Sequence, residues 1–186
     1  MGTRNLTMVQ KGYEIKVAQY GQWDGYPSGQ GVTILNFCRK KENLEKLEEK
    51  LNEVKFLDQN EIDKLNLKLD NKDQETLARF NRLWSRDIGG AILYSIIDEQ
   101  GEVGLINRMS FGYDSVFCEW AYCVNLDDKK FEVYKGFNHE KLTDTERFYS
   151  EEPDGSYYGV KLVKEYDLNN LPTKEEFINE LEKEDE

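Results

Sequence analysis

At 186 residues, with 38% hydrophobic and 12% aromatic content, the chain has apolar material for one folded domain and too little length for two ordinary ones. Its formal charge of −12 opposes phosphate backbones and argues against direct nucleic-acid binding. No apolar run approaches the roughly 20 residues that cross a bilayer, and no basic-then-apolar leader opens the chain, so no membrane partner is expected.

The first predicted element is a hairpin. Apolar residues alternate in "LTM" and "EIKVAQY", with Lys11-Gly12 as a two-residue turn. That turn sets Met8 opposite Ile15, Leu6 opposite Val17 and Arg4 opposite Gln19 on one side of the sheet. From about Val32 to Val54 the period becomes helical, with Ile34, Phe37, Cys38, Leu44, Leu47, Leu51 and Val54 at three- and four-residue steps. A short helix follows over 60–69. Another runs through "KDQETLARFNRLWSR", capped by Asp73, with Leu77, Phe80 and Trp84 inward. Gly89-Gly90 breaks it, and Ile92, Leu93, Ile96 and Ile97 predict a short buried helix, with a strand as the alternative.

"SVFCEWAYCVNL" and "KFEVYKGF", joined by Asp127-Asp128-Lys129, predict a second hairpin, and "YYGVKLVKEY" a further strand. After Pro172, Thr173 and Glu176 form a capping box for a last helix whose apolar side is Phe177, Ile178 and Leu181. The order is an N-terminal β-hairpin, a helical middle, antiparallel strands and a C-terminal helix. This is a single α+β domain over 1–186, with a short acidic tail at about 183–186.

Charge is uneven along it. Residues 140–186 hold fifteen acids and six bases, a net of −9, whereas the first 31 residues carry +1. A solvated helix and tail account for the acidic end. A sharper reading makes it an acidic face that occupies a basic groove on a partner.

Few residues offer chemistry. His139, the sole histidine, sits in a polar turn. The three cysteines, Cys38, Cys118 and Cys123, form neither a disulfide framework nor a metal-ligand spacing, so the setting is expected to be reducing and cytoplasmic, without metal or cofactor. Alternation puts Phe117, Glu119, Ala121 and Cys123 on one face of a strand and Cys118, Trp120, Tyr122 and Val124 on the other. Glu119 then stands in a largely apolar strand and needs either a basic partner, such as Arg4 or Arg86, or a functional use.

"YGQWDGYPSGQG" follows a strand and precedes a helix, but has neither the lysine of a phosphate loop nor a dinucleotide fingerprint. Its Tyr20, Gln22, Trp23, Asp24 and Tyr26, on a glycine-rich bend beside the first strand, have the make-up of a ligand pocket. A packed Ω-loop has the same composition.

The opening "GTRNLT…YGQWDGYPSGQG" resembles that of a set of uncharacterised short proteins from phages, prophages and low-GC bacteria. The resemblance is specific over residues 2–31 and moderate around "FCEWAYCVNLDDKKFEVYKGF". It implies a mobile-element protein that antagonises host defence, in the manner of an anti-CRISPR inhibitor, with a host protein such as a basic nuclease as partner. The first hairpin is also similar to that of proteasome-like N-terminal-nucleophile hydrolases. That likeness implies Thr3 as nucleophile and amine base, supported by Arg4, Asn5, Asp24 and Glu119. Gln19 and Leu35 depart from it, standing where that family carries Asp and Lys. Three functions are therefore expected to compete: a defence antagonist acting through its surface, a Thr3 amidohydrolase, and a small-ligand binding module.

Overall fold

Residues 2–153 and 155–183 are described by the computed structural model; beyond Lys183, the acidic tail expected at 183–186 lies outside the described residues. The first hairpin joins β1 (Asn5–Lys11) to β2 (Glu14–Gly21). Its turn is Gly12-Tyr13, with φ of 65° and 60°, the left-handed pair that suits a two-residue link between right-twisted strands. The turn thus falls one residue later than Lys11-Gly12. A bulge between Val9 and Gln10 then shifts the register, pairing Val9 with Val17, Met8 with Ala18 and Leu6 with Tyr20, in place of Met8 with Ile15 and Leu6 with Val17. The extra residue is Lys16. Expelling it to an ion pair with Glu14 at 2.9 Å lets Val9 and Val17 share one buried face.

The single helix expected over 32–54 is two, α1 (Val32–Cys38) and α2 (Lys41–Lys50), parted at Lys40, whose backbone is extended. The periodic residues nevertheless share one core, because Ile34, Phe37, Leu47 and Leu51 are all buried. The chain then forms β3 (Val54–Phe56), which pairs in parallel with β4 (Val103–Leu105) as a small second sheet that periodicity did not announce. Between them lie α3 (Gln59–Asp70), α4 (Gln74–Leu83) and α5 (Ile92–Asp98). Asp58 and Glu61 form a capping box for α3, and Asp73 accepts from Thr76 N at 2.9 Å to cap α4. Leu83 and Thr76 are the buried residues of α4, whereas Leu77, Phe80 and Trp84 are half-buried.

The second hairpin is β5 (Trp120–Asn125) and β6 (Lys130–Lys135), followed by β7 (Lys161–Asp167) and α6 (Lys174–Glu182). Of the residues expected to begin β5, 115–117 form a turn and 118–119 are coil. The main sheet runs β2-β1-β5-β6-β7. All neighbours are antiparallel except β1 and β5, which are parallel, so the expectation of antiparallel strands holds for every pair but that one. A parallel pair needs a long crossover, and α1–α5 occupy it.

Helices cover one face of the sheet. Val9, Val17, Tyr122, Phe131 and Val133 pack there against residues of α1, α2, α5 and α6. Phe177 of α6 stacks on Phe131 with centroids 5.7 Å apart, and burying such a ring contributes about 1.5–3 kcal/mol. The other face, with Leu6, Met8, Ala121 and Cys123, is covered by coil through Leu142, Phe148 and Val160. The α+β class stands, and the layers are helix, sheet and coil rather than two stacked sheets.

Candidate functional site

The polar opening of the chain folds into a packed bend. Asn5 is fully buried in β1, and its Nδ2 lies 3.3 Å from Gly21 O, 3.3 Å from Trp23 O and 3.5 Å from Thr3 O. One amide therefore gathers three main-chain carbonyls and holds residues 21–25 against the first strand. Gly25 N donates to Thr3 O at 2.9 Å, so close an approach that a Cβ at Gly25 would lie 2.7 Å from that oxygen. From the far side, Tyr122 Oη donates to Gly25 O at 2.7 Å, and burial pushes this phenol well above its ordinary pKa, keeping it a donor. Glu182 of α6 accepts from Ser28 N at 2.7 Å and closes the bend from outside.

This packing disperses the residues expected to form one polar, aromatic-walled recess. Trp23 lies over Gly2 and donates from Nε1 to Asp87 Oδ1 at 2.8 Å, with its ring 44% exposed. Asp24 and Tyr26 face solvent, and Asp24 takes a φ of 55° with its carbonyl accepting from Gln30 N. Gln22 Oε1 accepts from Tyr20 Oη at 2.5 Å. Of the five aromatic and polar residues singled out, only Tyr20 lines a cavity described below. The bend is the packed Ω-loop.

Thr3 is 5% exposed, and Arg4 lays its guanidinium over the Phe117 ring, 4.5 Å from the centroid, rather than toward Thr3 or Asp24. A terminal nucleophile must meet its substrate, and Thr3 is covered. Glu119 is half-buried one residue before β5; its N–H donates to Arg4 O at 3.1 Å, and no side-chain bond ties it to a base among the described residues. Among the described residues no side-chain hydrogen bond or ion pair joins Thr3, Arg4, Asp24 and Glu119 to one another.

The buried, paired carboxylate expected at Glu119 is Glu132 in β6. It accepts from Arg147 Nη2 at 2.8 Å, Asn125 Nδ2 at 2.8 Å and Tyr134 Oη at 2.5 Å. Arg147 also reaches Gln10 Oε1 at 2.7 Å and Tyr134 Oη at 2.9 Å. Burial, then the Glu132 charge, raises the Tyr134 phenol above its ordinary range. Every member is partnered, so the cluster fastens the coil around Arg147 to β1, β5 and β6. The signal was in "KFEVYKGF", where alternation sets Glu132 on the same face as Tyr134.

A cleft of about 540 Å³ opens along the free edge of β2. Two main-chain bonds build it. Arg108 N donates to Ala18 O at 3.0 Å, and Gln22 N donates to Arg86 O at 2.9 Å. They clip the segments after β4 and α4 onto β2 at positions two residues before and two after Tyr20. The walls are aromatic: Tyr20 meets Phe111 edge to face, with centroids 4.9 Å apart, and Trp84 is fixed by donating from Nε1 to Gly104 O at 2.9 Å. Arg86 and Arg108 stand exposed at the rim, and neither guanidinium has a hydrogen bond, ion pair or ring contact among the described residues. Among the described residues Asp114 is the one carboxylate lining the cleft, and its Oδ1 accepts from Phe117 N at 3.4 Å. Two free guanidiniums against one carboxylate make a local positive site on a chain of charge −12. Planar, forked donors of this kind suit phosphate or carboxylate. Sequence reasoning missed both arginines because they lie in coil far from Tyr20 along the chain.

Other chemistry is scarce. Burial pushes the thiols of Cys38, Cys118 and Cys123 far above their ordinary range, away from the thiolate a nucleophile needs. Exposed His139 contacts Ser156 O at 3.1 Å and the Tyr157 ring. Among the described residues no cluster of three or more His, Cys, Asp or Glu could hold a metal ion, and no helix is long and apolar enough to cross a membrane. On α6, Glu176 caps the helix, Glu180 bonds Tyr166 Oη and Lys164, and Glu182 holds Ser28, so three of its carboxylates are engaged within the chain. Compared with known proteins, the chain matches no family model, no curated protein and no solved structure.

Proposed function

We propose that the protein is a binding module for a small anionic ligand, held in the cleft on the β2 edge. The single observation that carries this reading is the pair of unpartnered guanidiniums, Arg86 and Arg108, fixed on either side of Tyr20 above aromatic walls. Tyr20, Phe111 and Trp84 receive an apolar or planar part, and the arginines take the charge. The cleft volume falls within the roughly 300–1,000 Å³ of ordinary ligand pockets. The site is preorganised, because main-chain bonds rather than flexible side chains set the separation of the two arginine segments.

The phage-type resemblance supports a role against host defence, and within that role the cleft is the better-built working part. On α6, the carboxylates of Glu176, Glu180 and Glu182 are already spent on the helix cap, on Tyr166 and on Ser28, which leaves Glu175 as the carboxylate of that helix without a partner among the described residues. Three free, buried thiols accord with the reducing, cytoplasmic setting we propose.

Thermal unfolding of the intact protein in a panel of phosphorylated and carboxylated metabolites tests the reading. A ligand at a hundred times its Kd stabilises by about 2.7 kcal/mol, which for a chain of this size raises Tm by about 5–10 °C. The shift is expected to vanish in the Arg86→Ala/Arg108→Ala double variant. Stabilisation that survives in that variant, or none from any anion, overturns the proposal.

A further inference from the structure

Behind the cleft stands Gln19, 6% exposed, opposite Thr7 in the register of β1 and β2. Its Nε2 donates to Tyr20 O at 3.2 Å and to Ser85 O at 3.3 Å. Both partners are carbonyl oxygens, which only accept, so the orientation of the amide is fixed by chemistry. Its Oε1 has no hydrogen-bond partner among the described residues, and unlike Asn5 Oδ1 and Thr7 Oγ1 it is not sealed from solvent. A buried amide oxygen left open at a cavity wall is an acceptor that something must supply with a donor.

Burial falls along the lining of the cleft: Gln19 is buried, Tyr20, Trp84 and Phe111 are half-buried, and Arg86 and Arg108 are exposed. Each level asks for a different part of one ligand. The acceptor asks for an N–H or O–H on the inserted end, the rings for a flat body, and the guanidiniums for an anion at the outer end. An aliphatic phosphate lacks the flat body. An unphosphorylated heterocycle leaves both arginines unused.

We infer that the ligand is a nucleotide, inserted base first, with a ring N–H or exocyclic amine donating to Gln19 Oε1 and its phosphate between Arg86 and Arg108. This rests on the anion-binding reading of the cleft and adds the identity of the inserted end. Gln19 is then the residue that selects a base, and the arginines bind any phosphate that fits.

Calorimetric titration of the intact protein with the common nucleoside 5′-monophosphates, their nucleosides, ribose 5-phosphate and inorganic phosphate tests it. At least one nucleotide is expected to bind about tenfold or more tightly than ribose 5-phosphate, which leaves the acceptor unmet, and more tightly than its own nucleoside, which leaves both guanidiniums without an anion. Gln19→Met, which keeps the length and removes the acceptor, is expected to weaken that nucleotide about tenfold and to leave ribose 5-phosphate unchanged. Where this variant fails to fold, the same nucleotide with its base N–H groups methylated makes the test from the ligand side and is expected to lose the same factor. If ribose 5-phosphate binds as tightly as every nucleotide, the base-first inference is wrong while the anion site stands. If no phosphate binds and Arg86→Ala/Arg108→Ala changes nothing, the anion site falls too, and the inference with it.

Discussion

The bend at residues 21–31 and the cleft on the β2 edge are both rich in aromatic and polar groups, and both adjoin Tyr20. They differ in where their hydrogen bonds go. In the bend, Asn5 Nδ2, Gly25 N and Tyr122 Oη are spent on main-chain atoms of the chain itself. In the cleft, Arg86, Arg108 and Gln19 Oε1 hold capacity that no described residue uses. Composition cannot tell a structural polar cluster from a binding one; the difference lies in how much of the bonding capacity is already satisfied. The Glu132–Arg147 cluster, with every member partnered, belongs with the bend.

Variants can break that division or sharpen it. The largest effect is expected for Arg147→Ala, which strands the Glu132 carboxylate at a side-chain exposure of 9%. A loss of about 3–5 kcal/mol in urea unfolding is expected, most of it recovered when Glu132→Leu and Arg147→Met are combined. If the single variant costs under about 1 kcal/mol, the cluster is not structural.

Asn5→Ala comes next. It removes the one donor shared by three carbonyls, and about 2–3 kcal/mol should be lost by the same measurement. Ligand binding at the cleft, tested in the fraction that stays folded, should be unaffected.

The cleft should behave in the opposite way. Arg86→Ala/Arg108→Ala is expected to change stability by no more than about 0.5 kcal/mol while abolishing the ligand-induced rise in Tm. Trp23→Ala should leave that rise intact, because Trp23 packs on Gly2 and Asp87 away from the cleft. A Trp23 variant that loses binding would put the site back in the bend.

The smallest effect concerns pH. Slight burial would raise the Asp127 carboxyl, but donors from Gln10 Nε2, Tyr13 N and Gly12 N outweigh it and hold it below its ordinary value of 3.8. A lowered carboxyl stabilises the fold above its unfolded pKa, and that contribution is lost as pH falls through the lowered value. The stability difference between the native chain and Asp127→Asn should therefore be constant above about pH 5 and shrink below pH 4. Asp127 is only half-buried and its bonds to Gly12 N and Tyr13 N are exposed, so the effect should be small. A difference that grows with acid would reverse the sign and refute the assignment.

Local pattern carried much of the secondary structure. The Thr173–Glu176 capping box announced α6, Asp73 announced α4, the glycine pair marked the start of α5, and the Asp-Asp-Lys link announced the second hairpin, whereas the Asp58–Glu61 box that starts α3 went unread. These signals act within a few residues, where backbone donors and side-chain acceptors meet whatever the rest of the chain does. The first hairpin was legible as a hairpin but not in register, because the bulge that expels Lys16 answers to the core beneath Val9 and Val17.

What the sequence by itself determined is the α+β class, most of the elements and the apolar faces that build the core. The tertiary structure alone decided that β1 and β5 run parallel, that the glycine-rich opening closes on itself, and that Arg86, Arg108 and Gln19 meet around one cleft. Periodicity is a property of neighbours in sequence, whereas a site is made of bonding capacity left over once distant segments have satisfied one another.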